Sequence, residues 1–274
     1  MDPQTNKYFK LSTQACFMLL TIAHMSFAQH RDSTLFFRSS ISVTQNGFSF
    51  IPSFSLGKPA VILEPSIGNK RWSFEPQLRF SLEGKPWSFI FIYRYKIRPD
   101  KRFQFQIGGH IPALIFTTQS VMRNGETENV IVTNRFLAAE LIPDYAISKK
   151  VRLGMYLLRG HGFDKGGVRD SYFAGIRSQF SNVKMFKSVN LRLIPQVYYL
   201  RTDNNDGFYA TNTISVTYKT FPFSVSSIVN KAIDTTVPGK DFDWNVSLLY
   251  SFDKNLCAKK LLYEKNLFNS IYGF

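Results

Sequence analysis

An all-β chain forming an antiparallel transmembrane β-barrel of about twelve strands is the fold the sequence predicts, on three observations. First, segment after segment alternates apolar with polar residues, and a strand turns successive side chains to opposite faces, so each segment becomes a ribbon with two unlike sides. Second, the apolar side is large and aromatic: 16% of the 274 residues are aromatic, with 27 Phe and 13 Tyr, which suits a lipid-facing wall with aromatic girdles. Third, mean hydropathy is only −0.13. No uninterrupted apolar run after the N-terminus approaches the roughly 18 residues a membrane helix needs, so a membrane has to be crossed by strands. A soluble sandwich or a lipocalin-like barrel would alternate too; the aromatic load of the apolar parity separates the readings.

Residues 1–28 have the make-up of a secretory signal peptide. Lys7 and Lys10 supply a positive start, Ala15 to Ala23 a short apolar core, and Ser26-Phe27-Ala28 the small residues read before cleavage at Gln29. Cys16 opens the apolar run instead of following it, which argues against lipoprotein processing. Cys257 is then the only cysteine of the exported chain, which excludes an intramolecular disulfide and a cysteine metal cluster. The net charge of +15, from 34 Lys and Arg against 19 Asp and Glu, favours acidic partners: the lipopolysaccharide surface and small anions, with no nucleic acid expected.

Residues 35–45 alternate poorly and end at Asn46-Gly47, a hairpin-turn signal. Phe48, Phe50, Phe54 and Leu56 then alternate with Ser49, Ser53 and Ser55, which predicts a strand. Gly57-Lys58-Pro59 turns the chain into 60–67, and Gly68-Asn69-Lys70 into the cleanest stretch. There Trp72, Phe74, Leu78, Phe80 and Leu82 oppose Ser73, Glu75, Gln77, Arg79 and Ser81, with Pro76 the blemish. Glu83-Gly84-Lys85-Pro86 is a hairpin turn. Beyond it Trp87, Phe89, Phe91, Tyr93, Tyr95 and Ile97 oppose Ser88, Arg94 and Lys96, while Ile90 and Ile92 intrude on the polar side.

Strands follow from Phe103 to Ile111, over 129–145 with a loss of phase near Phe136-Leu137-Ala138-Ala139 that predicts a bulge or strand end, and over 151–159, 171–181, 189–199, 208–218 and 221–230. The closing strand sets Phe242, Trp244, Val246, Leu248, Tyr250 and Phe252 against Asp243, Asn245, Ser247 and Ser251. Single-chain bacterial barrels use an even number of strands, so twelve are assigned and 35–45 is the one left over. The long connections 117–128, 160–170, 201–207 and 231–241 alternate with the shorter 146–150, 182–187 and 219–220, which puts Phe252 at the periplasmic end. The barrel is assigned to 29–252 and a periplasmic tail to 253–274; Phe268, Ser270, Tyr272 and Phe274 alternate weakly and offer a rival last strand.

A signal peptide, alternating aromatic strands and the closing run Trp244-Asn245-Val246-Ser247-Leu248-Leu249-Tyr250-Ser251-Phe252 resemble outer-membrane β-barrel proteins. The resemblance implies residence in the bacterial outer membrane and a final strand whose Trp244, Tyr250 and Phe252 are read by the barrel-assembly machinery. The runs Phe54-Ser55-Leu56-Gly57-Lys58-Pro59-Ala60, Phe74-Glu75-Pro76-Gln77 and Gly84-Lys85-Pro86-Trp87-Ser88-Phe89 resemble uncharacterised barrels of the Bacteroidetes kind. Where such proteins often stop at the final aromatic residue, this chain continues to Phe274.

If the aromatic parity faces lipid, the other lines the lumen with Glu75, Arg79, Arg94, Lys96, Arg152, Arg177, Arg192 and Asp243. Basic groups predominate in that set, and rings of Arg and Lys favour anions. Porin-like passage or binding of small anionic solutes is therefore the expected function. The alternatives are a closed barrel in which these groups pair with one another and the loops dock a partner, and a lipid- or peptide-hydrolysing barrel enzyme. The loop Arg159 to Gly167 superficially resembles a phosphate cradle but lacks the Gly-Lys-Ser/Thr ending and a following helix. His161 and Asp164 have no nucleophile-elbow signature near them, so no catalytic residue is assigned. His30, His110 and His161 lack ligand-like spacing, so no metal or cofactor is expected, and His110 reads as a satisfied lumen residue.

Overall fold

Alternation along the chain becomes a wall with two faces. The computed structural model describes residues 35–99, 102–123, 126–186, 188–218 and 221–256. The signal peptide expected over 1–28 and the chain beyond Leu256, including Cys257 and the rival strand at 268–274, lie outside these residues. The strands are β1 (Leu35–Thr44), β2 (Ala60–Gly68), β3 (Trp72–Phe74), β4 (Gln77–Ser81), β5 (Pro86–Pro99), β6 (Phe103–Arg123), β7 (Glu126–Ala146), β8 (Val151–Gly162), β9 (Asp170–Phe186), β10 (Val189–Thr202), β11 (Asn205–Tyr218), β12 (Phe223–Thr235) and β13 (Phe242–Leu256).

β1 pairs with β2 on one side and β13 on the other, so the sheet closes on itself. β3 and β4 both lie between β2 and β5. They form one stave interrupted at Glu75-Pro76, since Pro76 has no N–H to give a ladder. Twelve staves therefore make the barrel, as the sequence predicts.

Several details differ from expectation. Residues 35–44 are a full strand, in unbroken register from Phe36 opposite Gly68 to Thr44 opposite Ala60. Residues 48–56 are not a strand; they hold only a short 3-10 turn, Pro52–Phe54, and fold inward. The irregularity read near Phe136 belongs to the preceding strand: pairing steps from His110–Ala138 to Ala113–Phe136, so Ile111 and Pro112 bulge on β6 while β7 runs unbroken. Finally, a register shift between Arg79 and Phe80 on β4, across from Pro86 to Ser88, turns Trp87 into the lumen, where it is 2% exposed. The closing strand also reaches Leu256, past the boundary expected at Phe252.

The outer face carries exposed Trp72, Tyr93, Tyr95, Leu141, Met155, Ile176, Val197, Trp244 and Leu248, while the inner face buries Ser42, Thr44, Asn134, Glu140, Thr211, Asn230 and Asn245. So continuous an apolar exterior belongs against lipid. The chain starts β1 and finishes β13 at one end of the barrel, where the connections 69–71 and 147–150 are short. The opposite end carries the longer connections 45–59, 163–169 and 236–241. There β6 and β7, 21 residues each, outlast their neighbours: β5 leaves β6 after Ile115 and β8 leaves β7 beyond Phe136. A two-stranded ribbon rises from the rim as a result.

Candidate functional site: the barrel lumen

The lumen has two zones. The one under the long loops is apolar and occupied by residues 45–59. This inner segment starts at Asn46, whose amide nitrogen donates to Asp243 Oδ1 and to the Trp244 carbonyl, each at 2.8 Å. It closes on itself through Gly47 N–H to Lys58 O at 2.9 Å and Leu56 N–H to Gly47 O at 2.8 Å. Gly47 is needed there because a Cβ would stand 2.8 Å from that of Leu56.

From this base the segment reaches both walls. The Phe50 ring meets Phe173 at 5.9 Å and Tyr198 at 5.6 Å, joining a stack that continues from Tyr198 to Tyr209 at 4.9 Å. On the other side Phe54 meets Phe136 at 5.0 Å, and Trp87 Nε1–H donates to the Phe54 carbonyl at 2.8 Å. Each ring pair contributes about 0.5–1.5 kcal/mol beyond its area. The segment is therefore a packed part of the upper lumen.

The zone nearer the chain ends is polar. Glu140, fully enclosed, accepts from Arg94 Nε at 2.5 Å and from the Tyr156 hydroxyl at 2.6 Å, with His110 Nε2 at 3.3 Å. Arg94 also pairs with Glu75, which accepts from Ser73 Oγ at 2.6 Å. One residue type makes room for this: a Cβ on Gly108, in the adjoining strand, would strike Glu140 Oε1. The device repeats lower down, where Asp144 lies across Gly154 and takes Arg177 Nη2 at 3.3 Å. A third group links Arg79 Nη2 to Gln77 Oε1 at 2.6 Å and Gln77 to Glu64 at 3.0 Å, with the Arg79 guanidinium over the Trp87 ring at 5.1 Å.

Around β8 to β10 the balance changes. Arg152 lies opposite Gln179, and Arg192 Nη2 donates to Gln179 Oε1 at 2.8 Å. Arg152 Nη1 is enclosed with no hydrogen-bond partner among the described residues. Lys96 is half-buried on β5 opposite Gln106.

All eight lumen positions named from the sequence are thus accounted for, with Glu75 in the break between β3 and β4 and Asp243 holding Asn46. Sequence reasoning missed three carboxylates on the same face, Glu64, Glu140 and Asp144. They cut the basic excess and confine it to part of the wall. Trp244, Tyr250 and Phe252 sit on the outer face of β13, 40% to 47% exposed.

His161, at the end of β8, and Asp164, in the loop that follows, are not brought together. His161 Nδ1 lies 3.0 Å from Asp170, and Asp164 accepts from Arg135 Nη2 at 2.6 Å and from its backbone N–H. That guanidinium holds the Asp164 carboxyl below the usual carboxylate range. Lys58 does the same to Glu83 in the loop before β5. Among the described residues no group of His, Cys, Asp and Glu is arranged to hold a metal ion.

No protein-family model matches the chain, and no curated protein matches it in sequence. Among solved structures it is similar to the KdgM porin in complex with disordered oligogalacturonate (9% identity, 79% of this chain and 99% of that one, TM-score 0.48). It is similar also to an outer membrane channel from Pseudomonas putida F1 (10% identity, 83% and 97%, TM-score 0.45) and to a loop-deletion mutant of OmpT, an outer membrane protein of Vibrio cholerae (8% identity, 81% and 100%, TM-score 0.42). None of these TM-scores reaches 0.5.

Proposed function

We propose that the chain is a porin-like barrel of the bacterial outer membrane that binds and passes small anionic solutes. Its apolar exterior contacts lipid and lipopolysaccharide, and the barrel-assembly machinery reads the outward aromatic residues Trp244, Tyr250 and Phe252 of β13. The observation that carries the reading is the polar inner face, where the guanidiniums of β8, β9 and β10 outnumber the one carboxylate that pairs with them among the described residues, Asp144. Arg94 and Arg79 contribute less, because the first is neutralised by Glu140 and Glu75 and the second lies near Glu64. Residues 45–59 narrow the path on the side of the long loops.

The test is single-channel recording of the refolded chain in a planar bilayer under a salt gradient. Anion-preferring conductance is expected, with Arg152→Glu plus Arg192→Glu reversing or abolishing the preference. A second reading is favoured by the packing of residues 45–59 against both walls: a closed barrel whose loops dock a partner. A barrel that inserts yet never conducts, even when Phe50 and Phe54 are truncated, would replace the first reading by the second.

A further inference from the structure

The cations of the lower lumen fall into two unlike sets. On β5 and its neighbours, Arg94 is bonded to carboxylates. On β8 to β10 the basic groups gather instead around an amide. Arg152 pairs in register with Gln179, Arg177 stands two residues from Gln179 on the same face, and Arg192 is hydrogen-bonded to the Gln179 side chain. Diagonal neighbours in a sheet stand about 7–8 Å apart, so the three guanidiniums share one patch of wall.

Among the described residues one carboxylate, Asp144, meets this set, through Arg177. Gln179 spends its carbonyl on Arg192 and its amide on Ser181 Oγ at 2.8 Å, so it has no charge to offer Arg152. Three positive groups against one negative leave an excess of two. A buried guanidinium nitrogen without a partner is costly, and Arg152 Nη1 is such an atom among the described residues.

From this we infer that the β8–β10 wall holds a binding site for a small dianion whose oxygens are taken by Arg152 and Arg192, with Arg177 held in place by Asp144. Guanidinium forks match the planar oxygens of a carboxylate or the oxygens of a phosphate two at a time, so the shared chemistry is that of an oxyanion with two charges. The inference deepens the anion reading of the lumen, yet it needs only occupancy and no through-passage.

Isothermal titration of the full chain, refolded in a zwitterionic detergent at pH 8, tests the site with two probes, malonate and inorganic phosphate, at constant ionic strength set by chloride. One saturable site per chain is expected for at least one probe, and whichever binds identifies the group as carboxylate or phosphate. Arg192→Gln, in an exposed lumen side chain, should weaken binding by at least about tenfold, as should Arg152→Gln. Arg192→Lys should restore part of it by keeping the charge without the fork. Arg201→Gln, on the outer face of β10, should leave affinity unchanged. Absence of a saturable site for both probes, or affinity that is the same in Arg192→Gln and the parent chain, overturns the inference. Binding without conductance would leave the site standing and remove passage, so the two failures are distinguishable.

Discussion

The two zones of the lumen answer the same packing problem by different means. Under the long loops, the space is taken by backbone and aromatic rings from residues 45–59, and little charge is enclosed. Near the chain ends, side chains alone line the lumen, and Glu140 is enclosed only because Arg94, Tyr156 and His110 converge on it. The apolar zone is held by many weak contacts, so it tolerates loss by degrees. The polar zone is held by a few strong ones, so a single deletion leaves a buried charge unmatched.

The largest expected effect breaks the polar zone. Arg94→Ala removes two contacts from Glu140 and should cost about 3–5 kcal/mol, the usual penalty for stripping one partner from a buried pair. It would be read as a lowered urea midpoint for loss of heat-modifiable gel mobility. Replacing Arg94 and Glu140 together by Met and Leu should return much of that loss, and a double mutant as unstable as the single would show that the pair is not the source.

Next comes the apolar zone. Phe50→Ala should cost on the order of 2 kcal/mol, below the usual figure for a core Phe because the ring is half-buried. Unlike Arg94→Ala, it should raise single-channel conductance by freeing the inner segment from β9 and β10. An unchanged conductance would mean that the segment does not limit the path.

A smaller effect sharpens the link between glycine and carboxylate. Gly154→Ala places a methyl group where Asp144 now lies, and about 1–2 kcal/mol should be lost through the forced shift. Adding Asp144→Asn should not rescue it, since the collision is steric; a rescue would assign the cost to charge.

The smallest effect lies outside the lumen, in the loop pinned by Asp164. Because Arg135 depresses that carboxyl, the pinning is fully present above the ordinary carboxylate range and is lost as pH falls through the lowered value. Acid-stable protease should therefore nick 163–169 faster at low pH. Asp164→Asn should nick at that faster rate at neutral pH too, and a variant that still needs acid would dismiss the pairing.

The wall was legible from the sequence because parity needs nothing but neighbours along the chain: Tyr93 and Tyr95 outward, Arg94 inward. The inner segment was not. Phe48 to Leu56 alternate as a strand does, and alternation cannot distinguish a ribbon with hydrogen-bonded neighbours from a loop that lays its rings inside a barrel. A signal was present in the irregularities. Ile90 and Phe136 break the polar parity, and both lie around Phe54 with Trp87, which the shift on β4 turns inward. Ile90 and Phe136 are thus the imprint of that segment on the wall.

The missed carboxylates have a related cause. Glu140 and Asp144 follow the stretch where Phe136 upset the phase, and Glu64 sits within Ala-Val-Ile-Leu-Glu-Pro, where no parity could be read. Which cations are neutralised depends on register between strands, such as Arg94 beside Gly108 and Gly108 beside Glu140. That information is absent from any one strand.

The seam between β1 and β13 also has a temporal meaning. Arg38 reaches Asp253 across 215 residues of chain, and Phe37 meets Phe252. Contacts so distant in sequence form late, because the entropy of bringing such remote ends together comes first. Without β13 the sheet would be open, with two raw edges prone to pair with any strand they meet. Closure of the ring therefore waits for the last strand.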